Sequence, residues 1–252
     1  MFDAHTHVDT IRCEDIEMMA VSGVRRLVLC TGPNGATVHT TLLDYYEQLL
    51  TTHLTRVRDR GIAPHVAIGI HPMSIPEDYD RALNCLPSLL KRNHVAAIGE
   101  IGIHKGDSLE QVVFRRQVEI AKDHDVPVIV HTPIPEKRRI VQMVLTVLRE
   151  TGVDRRKVIL DHASAEVVRD VVEAGASIGL TLRRDMLSSE EAYQIVQEHH
   201  DRVILGSDAN GLRPSDPLAV PKFSWYCRLK ELDEKTFRQV FWDNANSIFN
   251  LK

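Results

Sequence analysis

Five short apolar runs each end in an ionisable side chain, and this repetition constrains the chain more than any single motif. The runs are Phe2-Asp3-Ala4-His5-Thr6-His7, Val95-Ala96-Ala97-Ile98-Gly99-Glu100, Pro127-Val128-Ile129-Val130-His131, Val158-Ile159-Leu160-Asp161-His162 and Val203-Ile204-Leu205-Gly206-Ser207-Asp208. Further β-like runs lie near 26–31, 64–70 and 176–181, which makes eight in all. They are rich in Val, Ile and Leu without alternation, as strands buried on both faces should be, and the stretches between them are long enough for crossover helices. Leu42 to Arg60 and Leu109 to His124 carry the clearest helical spacing. Eight βα units close into a (β/α)8 TIM barrel, in which functional groups gather at the C-terminal ends of the strands. An open doubly wound sheet would not bring side chains from strands one, four, five, six and eight to one point.

A chain of 252 residues, 43% hydrophobic, is long enough for one large core, so a single domain over 1–252 is expected. No apolar stretch approaches the ~20 residues needed to span a bilayer. The N-terminus opens on a strand-like segment instead of a basic region followed by an apolar signal, which points to a cytoplasmic protein. Cys13, Cys30, Cys85 and Cys227 form no C-x-x-C pair, so neither a disulfide framework nor a zinc knuckle is indicated. A net charge of -4 argues against a surface coated for non-specific nucleic-acid binding, although a local basic rim can still hold a phosphate. No row of aromatics interleaved with basic residues supplies a stacking platform for single strands.

Two imidazoles two positions apart on a strand, His5 and His7, point to the same side and read as half of a metal site. His5, His7 and Asp208 suit one divalent ion and His131 and His162 a second, while Glu100 has the two oxygens needed to bridge them. Ions spaced ~3.5–4 Å apart would polarise a phosphoryl or acyl oxygen and bring the pKa of a bridging water toward neutrality. Asp208 then has a second role, orienting that water and carrying its proton to the leaving group. Mixed nitrogen and oxygen ligation favours zinc or manganese, with magnesium as the weaker option.

Taken in order and with their spacing, Phe2-Asp3-Ala4-His5-Thr6-His7, Gly69-Ile70-His71-Pro72, Gly99-Glu100-Ile101-Gly102, Phe114-Arg115-Arg116-Gln117, the run to His131, Asp161-His162, Ser207-Asp208, Asn244-Ala245 and Phe249-Asn250-Leu251 make the chain resemble the TatD family of metal-dependent hydrolases. The resemblance implies a (β/α)8 barrel with one or two divalent ions. It carries the ligand role onto His5, His7, Glu100, His131, His162 and Asp208, and implies hydrolysis, with phosphodiester cleavage in DNA as the associated activity. The chain departs from the family pattern at Ile103-His104-Lys105, where an acidic residue usually follows, and at Thr132-Pro133, where an arginine is usual. Ala163-Ser164-Ala165 also replaces a Phe-Ser-Gly-like turn, so the floor of the substrate pocket is expected to differ.

Other residues are assigned by position. His71 ends the third strand and is expected to hydrogen-bond a substrate oxygen without ligating. Arg183 and Arg184 follow strand seven, where a guanidinium clamps a phosphate bidentately; Lys105 would neutralise an anionic substrate. Asp3 shares the His5/His7 face and is expected to orient an imidazole, whereas Asp161 alternates away from His162 and reads as structural. His104 is the one histidine outside the ligand set worth following, and His94 reads as a surface residue. The runs Lys137-Arg138-Arg139 and Arg155-Arg156-Lys157 read as solvated faces, the first near the mouth. The expected activity is hydrolysis of a phosphoester or phosphodiester, DNA included, with no membrane and no protein partner indicated. The alternatives are an amide, lactone or phosphotriester hydrolase, and a metal-binding barrel with a scaffold role.

Overall fold

The computed structural model describes residues 1–183 and 185–251, so Arg184 lies outside the described residues. Eight parallel strands pair in sequence order: β1 (Phe2–Thr6), β2 (Arg26–Cys30), β3 (Ala63–Ile68), β4 (Val95–Gly102), β5 (Val128–His131), β6 (Val158–Leu160), β7 (Ser177–Thr181) and β8 (Val203–Gly206). A parallel bridge between Thr6 and Ala209 closes the sheet, seconded by hydrogen bonds from His7 N to Ala209 O (2.9 Å) and from Asp208 N to His5 O (2.9 Å). The (β/α)8 barrel read from the sequence is therefore the observed architecture, with strand limits shifted by a residue or two.

The continuous apolar runs are explained by two cores. Outside the sheet, helices bury one stripe each. The Lys137–Thr151 helix buries Ile140, Val141, Val144, Val147 and Leu148, the spacing of a single helical face, and stops at Gly152, whose φ of 65° an L side chain rarely adopts. Inside, small or branched residues from every strand but β7 meet, among them Ala4, Cys30, Ala67, Ala97, Ile129 and Ile159. Phe2, Trp242 and Phe249 plug the N-terminal end, with Phe2 ring centroids 6.3 and 5.8 Å from the other two.

Two predicted elements differ in detail. The helix expected over Leu42–Arg60 begins at His39 and passes through a π-turn stretch at Leu49–His53 before resuming. The segment from Pro214 to Pro221, which the sequence presents as a loop after the eighth strand, becomes helical before its end, because Ala219–Leu229 is a helix and Pro221 sits in its first turn, where no intrahelical N–H is needed.

Irregularities in the ladder position the site. Residues filling the interior set the inward parity of each strand: Ala4 on β1, Ala97 on β4, Ile159 on β6. Strict alternation from these would turn His5 and Glu100 outward. Register shifts between Asp3 and Thr6 on β1, and between Ile98 and Ile101 on β4, reset the parity and aim both into the mouth, as bulges beside active sites do. On β6 the parity favours Asp161, and His162 returns to the site through a left-handed backbone (φ 56°). Asp208 is left-handed too (φ 48°). Such conformations persist only where the surroundings enforce them, and they concentrate at functional sites.

Candidate metal centre

Glu100 organises the mouth of the barrel. Its Oε2 lies 3.2 Å from His5 Nε2 and 3.3 Å from His7 Nε2, and its Oε1 lies 3.1 Å from His162 Nε2 and 3.2 Å from His131 Nδ1. One carboxylate thus faces the β1 imidazoles with one oxygen and the β5 and β6 imidazoles with the other. Asp208 completes the first group, its Oδ1 lying 3.3 Å from His7 Nε2 and 3.9 Å from His5 Nε2. His5, His7 and Asp208 present ligand atoms within 4.8 Å of one another, and so do His5, Glu100, Asp161 and His162.

Each imidazole is held by its far nitrogen. His5 Nδ1 contacts Asp161 Oδ2, His7 Nδ1 donates to Cys30 O (3.0 Å), and His162 Nδ1 donates to Thr181 Oγ1 (2.6 Å), leaving every Nε2 lone pair turned inward. This is the outer support that metal-ligating histidines require. His131 differs, because its Nε2 lies 3.1 Å from His104 Nδ1. The Glu110 carboxylate accepts from the backbone N–H groups of His104 (2.9 Å), Lys105 (2.8 Å) and Gly106 (2.9 Å) and so fixes the loop that brings His104 inward.

The electrostatics fit a cation-binding centre. Burial alone would deprotonate His5 and His7, but at His5 the Glu100 and Asp161 charges outweigh it and hold the imidazole well above its usual range. At His7, hydrogen bonds to Asp208 and Glu100 do the same and raise it to about 10. Glu100, despite a burial that opposes ionisation, is held far below the carboxylate range by His5, His131 and His162. A buried group of acidic oxygens that demands this much positive charge, met here by protonated imidazoles whose Nε2 atoms become ligands once a cation replaces their protons, fits divalent ions in charge and in chemistry. His71 stands apart. Its Nδ1 accepts from Met73 N (3.1 Å), so the neutral tautomer carries its proton on Nε2, 3.9 Å from Glu100 Oε2. Burial and the neighbouring His131 keep it neutral, well below the usual range, and the proton on Nε2 makes it a donor, while its ring also joins Glu100 and His131 in a third group of potential ligand atoms within 4.8 Å of one another.

Several expectations are corrected by this geometry. Asp3 does not touch an imidazole: its Oδ1 accepts from Ser207 N (2.9 Å) and His5 N (3.4 Å), Oδ2 is unpartnered, and burial raises the carboxyl to about 6. Asp161 takes the orienting role instead. Its Oδ1 accepts from His162 N (2.7 Å) and Thr181 Oγ1 (3.2 Å), and no side chain could stand at Gly179, where a Cβ would lie 2.6 Å from that oxygen. The β-bulge in β1 is what the alternation argument lacked. Lys105 is exposed, and its neighbour His104 rather than Lys105 itself lines the cavity. Lys137 belongs to no solvated face: it is 7% exposed and donates to Thr132 O (3.0 Å), Thr132 Oγ1 (2.9 Å) and His162 O (2.8 Å). Arg183 is 3% exposed, pairs with Asp208 Oδ2, and reaches Asp185 at 2.6 Å. Its guanidinium lines the cavity while already committed to two carboxylates.

Above these groups opens a cavity of about 290 Å³, walled by His71, His104, Thr132, Arg183 and Asn210 among others. A parallel barrel whose C-terminal mouth gathers imidazoles about one shared carboxylate defines a barrel hydrolase of the metal-dependent class. The chain belongs to the TatD family: the family model for TatD related DNase matches residues 2–250. An uncharacterized metal-dependent hydrolase of Methanocaldococcus jannaschii is 32% identical over 253 residues, covering 100% of both chains. One from Bacillus subtilis is 24% identical over 100% of this chain and 99% of its own. The crystal structure of a TatD-like protein from Archaeoglobus fulgidus superposes with a TM-score of 0.86 at 27% identity, covering 100% of each chain. The protein is accordingly a metal-dependent hydrolase. Among the described residues no helix is long and apolar enough to cross a membrane.

Proposed function

We propose that residues 1–252 act as one catalytic barrel that hydrolyses phosphoester or phosphodiester bonds with two divalent ions, zinc or manganese in preference to magnesium. The observation that carries the reading is the division of Glu100 between two histidine groups, Oε2 toward His5 and His7 and Oε1 toward His131 and His162. His5, His7 and Asp208 would hold one ion, His131 and His162 the other, and Glu100 both. Ions held there supply Lewis acidity to the phosphoryl oxygen and make a bound water more acidic.

The remaining work falls to the chain's own groups. The Asp208 carboxylate takes the proton of the attacking water and returns it to the departing oxygen, while the Arg183 contact on Oδ2 keeps it from rotating away. His71 Nε2–H donates to a non-bridging oxygen of the substrate, a bond that strengthens as charge develops there. Arg183 adds positive charge at the same edge of the cavity.

The reading is tested by hydrolysis of bis(p-nitrophenyl) phosphate and of a fluorescent oligonucleotide in zinc, manganese and magnesium, alongside lactone and dipeptide substrates. Metal-dependent phosphodiester cleavage is expected. Turnover confined to lactones or amides would move the assignment to those bonds, and metal binding without any turnover would favour a scaffold role.

A further inference from the structure

Among the described residues, the loop after β8 presents the one guanidinium on the cavity wall that is not already committed. Arg183 is taken by Asp208 and Asp185, whereas Arg213 is exposed and, among the described residues, its side chain has no hydrogen-bond or ion-pair partner. Its backbone is nevertheless tightly held. Asn210 Oδ1 accepts from Leu212 N (3.1 Å) and Arg213 N (3.0 Å), while Asn210 Nδ2 donates to Asp208 O (2.7 Å). Ser215 Oγ bridges Asn210 N (2.9 Å) and Asn210 O (2.6 Å), and Gly211 N donates to Thr10 Oγ1 (2.9 Å). Gly211 sits so close to β1's following turn that a Cβ would lie 2.1 Å from Thr10 O. A loop fixed to the residue two after Asp208 is a preorganised platform for a side chain aimed at the mouth.

Beside Arg213 the rim is apolar. Met73, Ile134 and Leu212 all line the cavity and are 45%, 49% and 68% exposed, so the mouth gathers large hydrophobic side chains that water would otherwise disfavour. Pro133 and Pro135 lie in the same wall. No Phe, Tyr or Trp lines the cavity among the described residues, so there is no face on which nucleobases would stack.

We propose that Arg213 anchors a second anionic group of a compact phosphoester whose apolar body packs on Met73, Ile134 and Leu212 while its scissile ester lies over the histidine and carboxylate cluster. This rests on the phosphoester reading above, and narrows it from nucleic acid to a small amphipathic substrate. A guanidinium free of protein partners forms charge-assisted bonds to a carboxylate or phosphate, and at an exposed rim such a contact is expected to be worth about tenfold in affinity.

The test compares binding of phenylphosphonate with that of 3- and 4-phosphonobenzoate to the metal-loaded protein by titration calorimetry. The probes differ only by a carboxylate. The wild-type protein is expected to prefer at least one phosphonobenzoate by about tenfold, Arg213→Met to lose that preference while keeping phenylphosphonate affinity and metal content, and Arg213→Lys to retain part of it. Equal affinity for all three probes in the wild-type protein, or a preference that survives in Arg213→Met, overturns the proposal. Hydrolysis of 4-nitrophenyl phosphate and bis(p-nitrophenyl) phosphate is followed in parallel. Absence of turnover on every phosphoester would overturn the phosphoester reading while the binding comparison still decides the role of Arg213.

Discussion

Replacing Asp161 with Asn should damage the metal centre without touching a ligand. Asp161 is fully enclosed: Oδ1 serves His162 N and Thr181 Oγ1, and Oδ2 meets His5 Nδ1. Asparagine can keep its carbonyl on the first two only by turning its NH2 toward His5. Two donors then face each other in a site that is 2% exposed. His5 relieves the clash by carrying its proton on Nε2, the nitrogen that lies 3.2 Å from Glu100 Oε2 and 3.1 Å from His7 Nε2, which removes a ligand from the β1 group. Loss of such support typically lowers metal affinity 10–100-fold, or ~1.4–2.7 kcal/mol. Competition titration with a chromogenic chelator resolves the two binding steps. The expected result is a loss of at least tenfold in one step, with the step assigned to His131 and His162 changed less. Both affinities within about twofold of wild type would refute the argument that Asp161 fixes the His5 tautomer.

Three further outcomes follow from other contacts. Glu100→Gln should lose both metal occupancy and most activity, whereas Asp208→Asn should retain most metal while the chemical step falls by ~100-fold or more, as measured by metal content and kcat; equal behaviour of the two variants would merge the roles separated here. Lys137→Met strips donors from Thr132 O and His162 O at a buried site, so thermal or urea unfolding should report a loss of ~2–4 kcal/mol, and a change below ~0.5 kcal/mol would show that water replaces the ammonium. His65, at the opposite end of the barrel, is held down to about 4 by burial with help from the Arg26 and His94 charges. Its folded pKa lies below the unfolded value, so the unfolded chain takes the proton first as pH falls. Stability is therefore lost from about pH 6.5 down to about pH 4. For a half-buried ring the loss is ~1–2 kcal/mol. In chelator-treated samples the fall in melting temperature between pH 7 and 5 should be shallower for His65→Gln, and parallel curves would refute the assignment.

Much of this was legible in the chain. Buried parallel strands are read from uninterrupted apolar runs, and a ligand at the end of each run falls at the mouth because the barrel places it there. His5, His7, Glu100, His131, His162 and Asp208 converge for that reason. What failed was parity. Alternation assigned Asp3 to support the imidazoles and turned Asp161 away, because a register shift in β1 and a left-handed residue at His162 leave no mark in a hydrophobicity pattern. Lys137 was misread for a related reason. A charged run looks solvated until a helix N-terminus folds one lysine over a carbonyl-rich turn, and only the contacts reveal which. His104 carried the one usable hint, an imidazole in place of an acidic residue beside a metal strand.

In the proposed centre, Glu100 holds two divalent ions between two histidine groups. Anomalous diffraction from crystals of protein loaded with zinc or manganese, collected at the absorption edge of the metal, tests it directly. Two peaks flanking Glu100, one bounded by His5, His7 and Asp208 and the other by His131 and His162, are predicted. A single ion that leaves Glu100 uncoordinated, or no peak in the barrel mouth at full metal loading, would contradict the account.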